Sequence, residues 1–432
     1  MGEVKSAADH APGEDWLQPM RVKLGQLSPL SSSCTIFRVP SKLRTMNVDA
    51  YKPQIVSIGP LHHESVNFPS MEHEKLHYML SLLERTQRAS QILDDCGRAI
   101  LDNDGSIRAC YAEQIKYSRD ELAEIMLLDG CFLIELFLRY CFPGLRFQND
   151  PIFATSWMLL TIQRDLALLE NQIPFFVLES LFNLTVRHSA LGASVFPLPQ
   201  LALQFFKRGL NISEETVSFH RQSGHHLLHL IHNCYLPHSP SMHTREKGAL
   251  EVIHCATALH KAGIKFKSGT AKNLLDLRFE KGVFRIPQLS IHDSTDSLFR
   301  NLMAFEQCFC GSTQYITSYV FLMDRLIDTA SDVELLERKK IIQNNLGGGE
   351  DVSALFNKIC KQIALQDFYF QGLCEKVNAY YNKPWHRYKA TLKRDYFRNP
   401  WTITSLIAGF ALLSLTLLQT IYTVLSYYHQ QS

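Results

Sequence analysis

The sequence lacks the glycine-rich motifs that build the commonest nucleotide and hydrolase sites. It contains no Gly-x-x-x-x-Gly-Lys-Ser/Thr, no Gly-x-Gly-x-x-Gly and no Gly-x-Ser-x-Gly. These motifs supply the phosphate-binding loops of nucleotide enzymes and the exposed serine of α/β-hydrolases. Their absence excludes the easily recognised members of those classes and leaves an unfamiliar chemistry open.

Closely paired cysteines are also missing. The chain has 11 cysteines, an odd number, and none of them stand in a Cys-x-x-Cys arrangement. A zinc ribbon or a thioredoxin-like site needs such a pair. Cysteines without regular spacing are typical of a reducing compartment, where most serve as small buried hydrophobic side chains. The cysteines therefore favour a cytosolic protein.

The chain has little net charge, but its charge is unevenly distributed. It carries 44 basic and 42 acidic side chains, for a formal charge of +2, and 46% of its residues are apolar. This composition excludes a disordered chain and shows no overall electrostatic signal for nucleic acid. Residues 383–398 hold six basic side chains and one acid, or +5, which leaves 38 basic and 41 acidic side chains, or −3, for residues 1–382.

Charged residues are absent from the C-terminus, because Arg398 is the last of them. The apolar segment 401–428 would extend about 40 Å as a helix, and the hydrocarbon core of a bilayer is about 30 Å thick. Tryptophan at one end and tyrosines at the other are typical of the two headgroup regions. We expect one transmembrane helix here. Its anchor and packing residues are Trp401, Gly409, Gln419, Tyr422, Tyr427 and Tyr428.

The residues before this segment predict its orientation. The positive-inside rule keeps a basic cluster next to a span in the cytosol. The cluster comprises Lys383, Arg387, Lys389, Lys393, Arg394 and Arg398. The first 33 residues contain no apolar signal-peptide core, so nothing directs the body across a membrane. The sequence predicts a single-pass, tail-anchored protein of the plasma membrane or an endomembrane, with a cytosolic body. Glycosylation of Asn183 or Asn211 would instead indicate an extracellular body.

The predicted partners are the lipid bilayer and an unknown protein, without nucleic acid and without a cofactor. A second copy of the chain is a further candidate, because Ser405 and Gly409 allow close helix approach and Gln419 can hydrogen-bond across a helix pair. The alternative is a monomeric anchor.

Hydrophobic periodicity predicts a mainly α fold. Residues 1–33 form a flexible arm, 34–382 a mostly helical globular domain, 383–400 a basic juxtamembrane segment, 401–428 the transmembrane helix and 429–432 a short tail. Helical patterns cover 72–83, 111–140, 152–169, 175–182, 296–306 and 315–327. Alternating residues around Glu280-Lys281-Gly282 predict a small antiparallel hairpin, to which 264–267 could add a third strand. Ser294 or Thr295 is the predicted cap of the helix that follows.

Several longer motifs resemble a plant family called domain of unknown function 247. They are Phe37-Arg38-Val39-Pro40, Val56-Ser57-Ile58-Gly59-Pro60-Leu61-His62-His63, Met126-Leu127-Leu128-Asp129-Gly130-Cys131-Phe132, Leu168-Leu169-Glu170-Asn171-Gln172-Ile173-Pro174-Phe175, Leu298-Phe299-Arg300-Asn301-Leu302, and Lys393-Arg394-Asp395-Tyr396-Phe397. The resemblance runs from about Cys34 to Tyr428. It implies a membrane-associated plant protein of unsettled biochemistry, some relatives being linked to self-incompatibility in grasses, and it supplies no catalytic site.

The sequence offers two weak candidates for a metal site. His225, His229 and His232 have the spacing of one helical face, but the polar side of an amphipathic helix is the preferred explanation of these residues. Glu74-x-x-His77 and Glu251-x-x-His254 match the pairs of di-iron bundles, a spacing that 18 histidines produce by chance.

Acids within apolar helices need partners, because an unpaired buried charge is costly. Asp129, Glu135 and Glu170 are such acids, and the candidate partners are Arg38, Arg139, Arg164 and Arg300. Taken together, the residues predict a non-enzymatic membrane protein whose body binds another protein in signalling or recognition. The alternative is an unrecognised hydrolase or metal-dependent enzyme on a helical scaffold.

Overall fold

The computed structural model describes residues 17–25, 34–64, 69–187, 189, 192, 195–210, 212, 217, 223–236, 252–269, 273–309, 313–385, 388 and 400–430. The helices of the first half are α1 (Gln18–Gly25), α2 (Ser41–Arg44), α3 (Pro69–Glu84), α4 (Ala89–Asp102), α5 (Asp104–Ala109), α6 (Arg119–Cys141), α7 (Pro151–Ala154), α8 (Ser156–Asp165), α9 (Phe175–Thr185) and α10 (Leu198–Leu210). Helix α1 lies within the arm 1–33, where no helix is predicted.

Helix α6 is the centre of the first half of the body. Helices α3, α4, α9 and α10 all pack against it, and the middle of α6 from Asp129 to Arg139 is buried on every side. Its N-terminus has a capping box, in which Ser118 Oγ accepts from the Glu121 N–H and the Glu121 carboxylate accepts from the Ser118 N–H. A helix that is apolar all round needs neighbours on every face, which explains its central position.

The second half combines helices with two small sheets. Its helices are α11 (Leu227–Tyr235), α12 (Ala256–Lys261), α13 (Thr295–Cys308), α14 (Tyr315–Leu326), α15 (Ala330–Arg338), α16 (Gly349–Ile359), α17 (Gln371–Tyr381) and α18 (Pro400–Gln430). Its strands are β1 (Lys265–Ser268), β2 (Arg278–Glu280), β3 (Val283–Ile286), β4 (Leu289–Ile291) and β5 (Ile342–Asn344). A single apolar core runs through both halves of the body.

The predicted hairpin is confirmed. Strands β2 and β3 pair antiparallel, and Lys281 and Gly282 turn the chain between them with φ of 48° and 76°. Strand β1 is the third strand, and it runs parallel to β3. Strands β4 and β5 form a second, parallel pair that the sequence did not predict, because their partners are about 50 residues apart.

Two predicted helices have different bounds in the structure. Residues 111–118 are not helical, because Ala112 donates its N–H to the Ile36 carbonyl and Arg108 donates to the carbonyls of Ile115 and Tyr117. The helix predicted over 152–169 is two helices in the structure, α7 and α8, and α8 ends at Asp165. The contacts of Asp165 that explain this end are described below. Helices α4 and α5 were not predicted.

The predicted N-cap position of α13 is confirmed, but the expected capping hydrogen bond is not formed. Ser294 is the N-cap residue, but its side chain makes no capping hydrogen bond. The Thr295 hydroxyl instead accepts from the His292 N–H at 2.8 Å. The fold class is as predicted, a mostly helical body with small sheets and one long apolar C-terminal helix.

Candidate functional site

The five described motifs of the family resemblance, which lie between Phe37 and Leu302, meet in the interior of the body, around the end of α8. The Asp165 carboxylate ends this helix by accepting the backbone N–H groups of Gln54, Ile55 and Val56 at 2.8, 2.8 and 3.2 Å. One acid side chain therefore holds the turn before the motif Val56–His63. Burial raises the pKa of Asp165 even though these donors and Arg164 act in the opposite direction.

Two amides after α8 bind carbonyls at the end of the helix and just beyond it. The Asn171 side chain donates to the Asp165 and Val56 carbonyls and accepts from the Ile58 N–H. The Gln172 side chain donates to the carbonyls of Leu166 and Leu168. Carbonyls near a buried helix end need such partners. Asn171 and Gln172 therefore fix the chain that follows α8, and Asn171 also binds the segment 56–58.

Glu170 has four partners, as many as Asp165. Its buried carboxylate accepts from the Val39 N–H at 2.7 Å, lies 3.2 Å from the His62 Nε2 atom, and pairs with Arg38 and Arg44. Burial opposes ionisation of this acid, but the His62, Val39 and Arg44 donors outweigh burial, so the pKa of Glu170 lies below its usual value. This carboxylate ties the segment 37–44 to the body.

A buried lysine joins α3 to α6. Lys75 Nζ donates to the Asp129 carboxylate at 2.7 Å and to the Ser57 carbonyl at 2.6 Å, and the Gly59 N–H donates to the same carboxylate at 2.7 Å. Burial disfavours the charged amine, but Asp129 and Glu72 outweigh burial and raise the pKa of Lys75. The burial of Lys75 could have been predicted from the sequence, because this lysine stands on the apolar side of α3 between Met71 and Tyr78.

A second buried ion pair lies at the other end of α6. Arg139 donates to Glu135 at 2.7 Å and to Asp150 at 2.8 Å, and its guanidinium lies over the Tyr78 and Phe147 rings at 3.9 and 3.7 Å from their centroids. Aromatic rings next to the guanidinium and carboxylates that accept from it are the surroundings that stabilise a buried arginine.

The predicted pairings of the acids are partly confirmed. Glu170 pairs with Arg38 and Glu135 with Arg139, two of the candidate arginines, although the sequence did not assign an arginine to each acid. Asp129 pairs with Lys75 instead of an arginine. The two remaining candidate arginines bind acids that were not singled out, Arg164 with Asp165 and Arg300 with Asp296. The carboxylates of this region thus bind backbone N–H groups and buried cations, and they hold the body together.

The helix predicted to carry three candidate histidines carries only two of them. The helix α11 begins at Leu227, so His225 precedes it and only His229 and His232 lie on it. The rings of His225 and His229 have their centroids 4.8 Å apart, but the His229 Nδ1 atom accepts from the His225 N–H and the His232 Nε2 atom binds Glu306 at 2.8 Å. Burial, with the neighbouring histidines, lowers the pKa of His229 to about 3.

The described members of the two Glu-x-x-His pairs belong to no group of three metal ligands. His77 is exposed on α3, His254 packs against the Tyr381 ring with centroids 4.4 Å apart, and Glu251 lies outside the described residues. Sequence reasoning missed that His73-Glu74-Lys75-Leu76-His77 has the His-Glu-x-x-His spelling of zinc-protease helices. His73 and His77 form an exposed pair with ring centroids 4.5 Å apart. Across the described residues, no three His, Cys, Asp or Glu side chains are grouped as metal ligands.

The surface around α8 carries two adjoining cavities. One, of about 710 Å³, is lined by Tyr140, Phe153, Leu160, Gln163 and Phe196 among others, and the second, of about 550 Å³, begins on the other side of Leu160. Trp157 lines the second cavity and is 57% exposed, and Leu160 is 61% exposed. Both side chains point away from the core because the opposite face of α8 is buried.

The C-terminal helix α18 is long and apolar enough to cross a membrane from Ile403 to Ser426, and none of that stretch is buried against the body. Trp401, Gly409, Gln419 and Tyr422 are all exposed on it. Tyr427 and Tyr428 lie in the last turns of the helix, and their side chains are outside the described residues. Lys383 is described, and the other members of the basic cluster lie outside the described residues. These are Arg387, Lys389, Lys393, Arg394 and Arg398.

The chain is similar to known plant proteins over nearly its whole length. A family model described as "Plant protein of unknown function" (DUF247) matches residues 36–415. The UPF0481 protein At3g47200 of Arabidopsis thaliana is 33% identical, over 91% of this chain and 87% of the relative. The putative UPF0481 protein At3g02645 of the same plant is 24% identical, over 91% and 90%. No solved structure matches. The chain therefore belongs to the plant family of unknown function known as domain of unknown function 247.

Proposed function

We propose that this protein is a tail-anchored membrane protein with a cytosolic, non-enzymatic body that binds another protein in signalling or recognition. One observation carries the proposal: the 24 residues Ile403–Ser426 form an apolar helix that packs against no part of the described body. A helix that is apolar all round needs an apolar environment, and a bilayer provides one.

The orientation is supported by the basic residues that precede the helix. Residues 383–398 carry +5, and the positive-inside rule places such a segment on the cytosolic side. The same charges would attract anionic lipid headgroups of the inner leaflet.

Protein binding is supported by the way in which the body uses its polar side chains. The acids and amides of the family motifs are occupied in holding segments of the body together, as described for Asp165, Glu170 and Asn171. Apolar side chains are exposed elsewhere: Leu76 and Leu80, one turn apart on α3, are 55% and 52% exposed. Adjacent exposed apolar side chains are typical of a protein contact.

The span also supports self-association. A series of six positions with alternating spacing of four and three residues runs along the helix. All of them except Leu412 carry small or polar side chains, namely Ser405, Gly409, Thr416, Gln419 and Thr423. This spacing places small and polar side chains along one seam of the helix, where a second copy of the chain can approach closely. Gln419 would then donate to the partner helix, so Gln419→Leu should reduce dimer formation and Leu418→Ala, beside it, should not. Energy transfer between labelled chains in vesicles measures the difference.

Alkaline carbonate extraction of membranes tests the anchor. The unchanged chain should remain in the membrane pellet, and the double variant Leu413→Arg/Leu417→Arg should move to the supernatant. Each arginine at the centre of a span costs about 3 kcal/mol. The matched variant Leu413→Ala/Leu417→Ala should stay in the pellet. Extraction of the unchanged chain would contradict the proposal.

Metal analysis tests the enzyme alternative. We expect the purified chain to contain no stoichiometric zinc, iron or copper. A stoichiometric metal that is lost from His225→Ala/His229→Ala/His232→Ala, or from His73→Ala/His77→Ala, would favour the metal-dependent enzyme over the binding protein.

A further inference from the structure

We propose that the exposed face of α8 is a second membrane contact, which lays the body on the bilayer that holds the anchor. Its ligand is a lipid surface with anionic headgroups. The inference rests on the proposed membrane anchor, and it adds to the proposed function a fixed orientation of the body.

The first support is the pattern of exposed side chains. Trp157 and Leu160 lie one turn apart on α8 and are 57% and 61% exposed, and Phe196, which shares a cavity with Leu160, is 51% exposed. Large apolar side chains grouped on a surface mark an interaction site more often than single ones. Tryptophan in particular settles at the headgroup level of a bilayer, because its ring is apolar and its N–H is polar.

The second support is the charge and shape next to these side chains. The cavity of about 710 Å³ beside Leu160 has two cations in its lining, Arg146 and Lys207, and none of the described residues that line it is acidic. Its remaining walls are largely aromatic and aliphatic. Asp293 is the acid in the lining of the neighbouring cavity, on the far side of Leu160. A cationic edge around an apolar hollow is complementary to an anionic headgroup above acyl chains.

The third support is the length of the tether. Helix α17 ends at Tyr381 and the apolar span begins at Ile403, so 21 residues separate them. A chain of that length reaches at most about 70 Å, which is longer than the diameter of a body of this size. A face at some distance from Tyr381 can therefore still reach the bilayer, and the tether keeps the local concentration of membrane high. A weak apolar contact is enough under these conditions. A free partner protein has no such advantage, which is why we commit to the lipid surface.

The four tryptophans of the chain allow a direct test. They are Trp16, Trp157, Trp385 and Trp401. The full chain is reconstituted in vesicles of phosphatidylcholine and phosphatidylserine in which part of the lipid carries bromine on its acyl chains, which quenches only tryptophans that enter the bilayer. One variant keeps Trp157 alone, the other three being replaced by Phe. A second variant keeps Trp401 alone.

We expect both variants to be quenched by brominated lipid. In the Trp157 variant, Leu160→Glu should abolish the quenching, and the control change Leu93→Glu, at an exposed leucine on α4, should leave it unchanged. Replacing phosphatidylserine by phosphatidylcholine should reduce the quenching of Trp157 and not that of Trp401.

The outcomes separate this inference from the anchor. Quenching of Trp401 without quenching of Trp157 would overturn the inference and leave the anchor intact. A Trp157 that is unquenched in pure lipid but shielded from soluble quenchers in native membranes would assign the α8 face to a protein, and would also overturn the inference. Absence of quenching in both variants would contradict the anchor itself.

Discussion

The buried histidines at the start of α11 should make the body unstable in mild acid. His226 is fully buried, and its Nδ1 atom accepts from the His229 N–H. Burial, with the repulsion of neighbouring histidines, lowers the pKa of His226 well below its ordinary value and that of His229 to about 3. The folded protein therefore keeps both rings neutral, whereas the unfolded chain protonates them near pH 6.5.

The sign and size of the effect follow from these pKa values. Because the unfolded state binds the protons first, the stability that depends on the two neutral rings is present above pH 6.5 and is lost as the pH falls below it. Each ring contributes about 2 kcal/mol to the difference between pH 7 and pH 5, so the pair costs about 4 kcal/mol of unfolding free energy. Such a loss is a large fraction of the stability of a typical protein.

Urea unfolding of the detergent-solubilised chain, followed by circular dichroism at pH 7 and pH 5, measures this loss. The control is His226→Asn/His229→Gln, because asparagine retains the capping acceptor and neither side chain titrates. The unchanged chain should lose about 4 kcal/mol more than this variant over the two pH units. An equal loss in both proteins would refute the reasoning, since buried acids such as Asp165 titrate in both alike.

Two further predictions concern a motif glycine and a buried arginine. Gly59→Ala should cost about 2–4 kcal/mol in the same assay, because φ is +74° and the added Cβ would lie 2.5 Å from the Gln172 carbonyl, whereas Gly97→Ala in α4 should gain up to about 1 kcal/mol. Arg139→Met should cost about 3–5 kcal/mol, because it leaves the buried Asp150 carboxylate without its cation, whereas Glu135 keeps its ion pair with Arg85. Equal stability of the two glycine variants, or a neutral Arg139→Met, would contradict these assignments.

The features that the sequence predicted well depend on contacts close in the chain. Most of helix α6 follows from its apolar pattern, although its start at the capping box of Ser118 and Glu121 was not predicted, and the β2–β3 hairpin has its own turn at Lys281 and Gly282. Glu135 and Arg139, which the sequence named without pairing them, are one helical turn apart. Local periodicity and turn chemistry are sufficient to place such features.

The features that it did not predict depend on distant partners. Asp165 accepts from residues more than 100 positions earlier in the chain, and Asn301 accepts from the Leu169 N–H across 132 positions. The end of α8 follows from these contacts and not from its own periodicity, which continues to Leu169. The parallel pairing of β1 with β3 likewise depends on the packing of the whole body.

The same distinction applies to the candidate site. The spacing of His225, His229 and His232 suggests one helical face, but the helix begins only at Leu227, because His226 caps it. Lys75 could have been recognised as a buried cation from its position on the apolar side of α3. Its pairing with Asp129 could not have been recognised, because nothing in the sequence relates the two residues.

Protease treatment of sealed microsomes that carry the full chain, with one epitope tag at each end, tests the central claim most directly. We expect that protease added outside removes the N-terminal tag and the body, and that a small fragment containing Ile403–Ser426 and the C-terminal tag stays protected until detergent is added. A body that is protected in sealed microsomes would contradict the cytosolic orientation. Complete digestion of the chain, with no protected fragment, would contradict the membrane span.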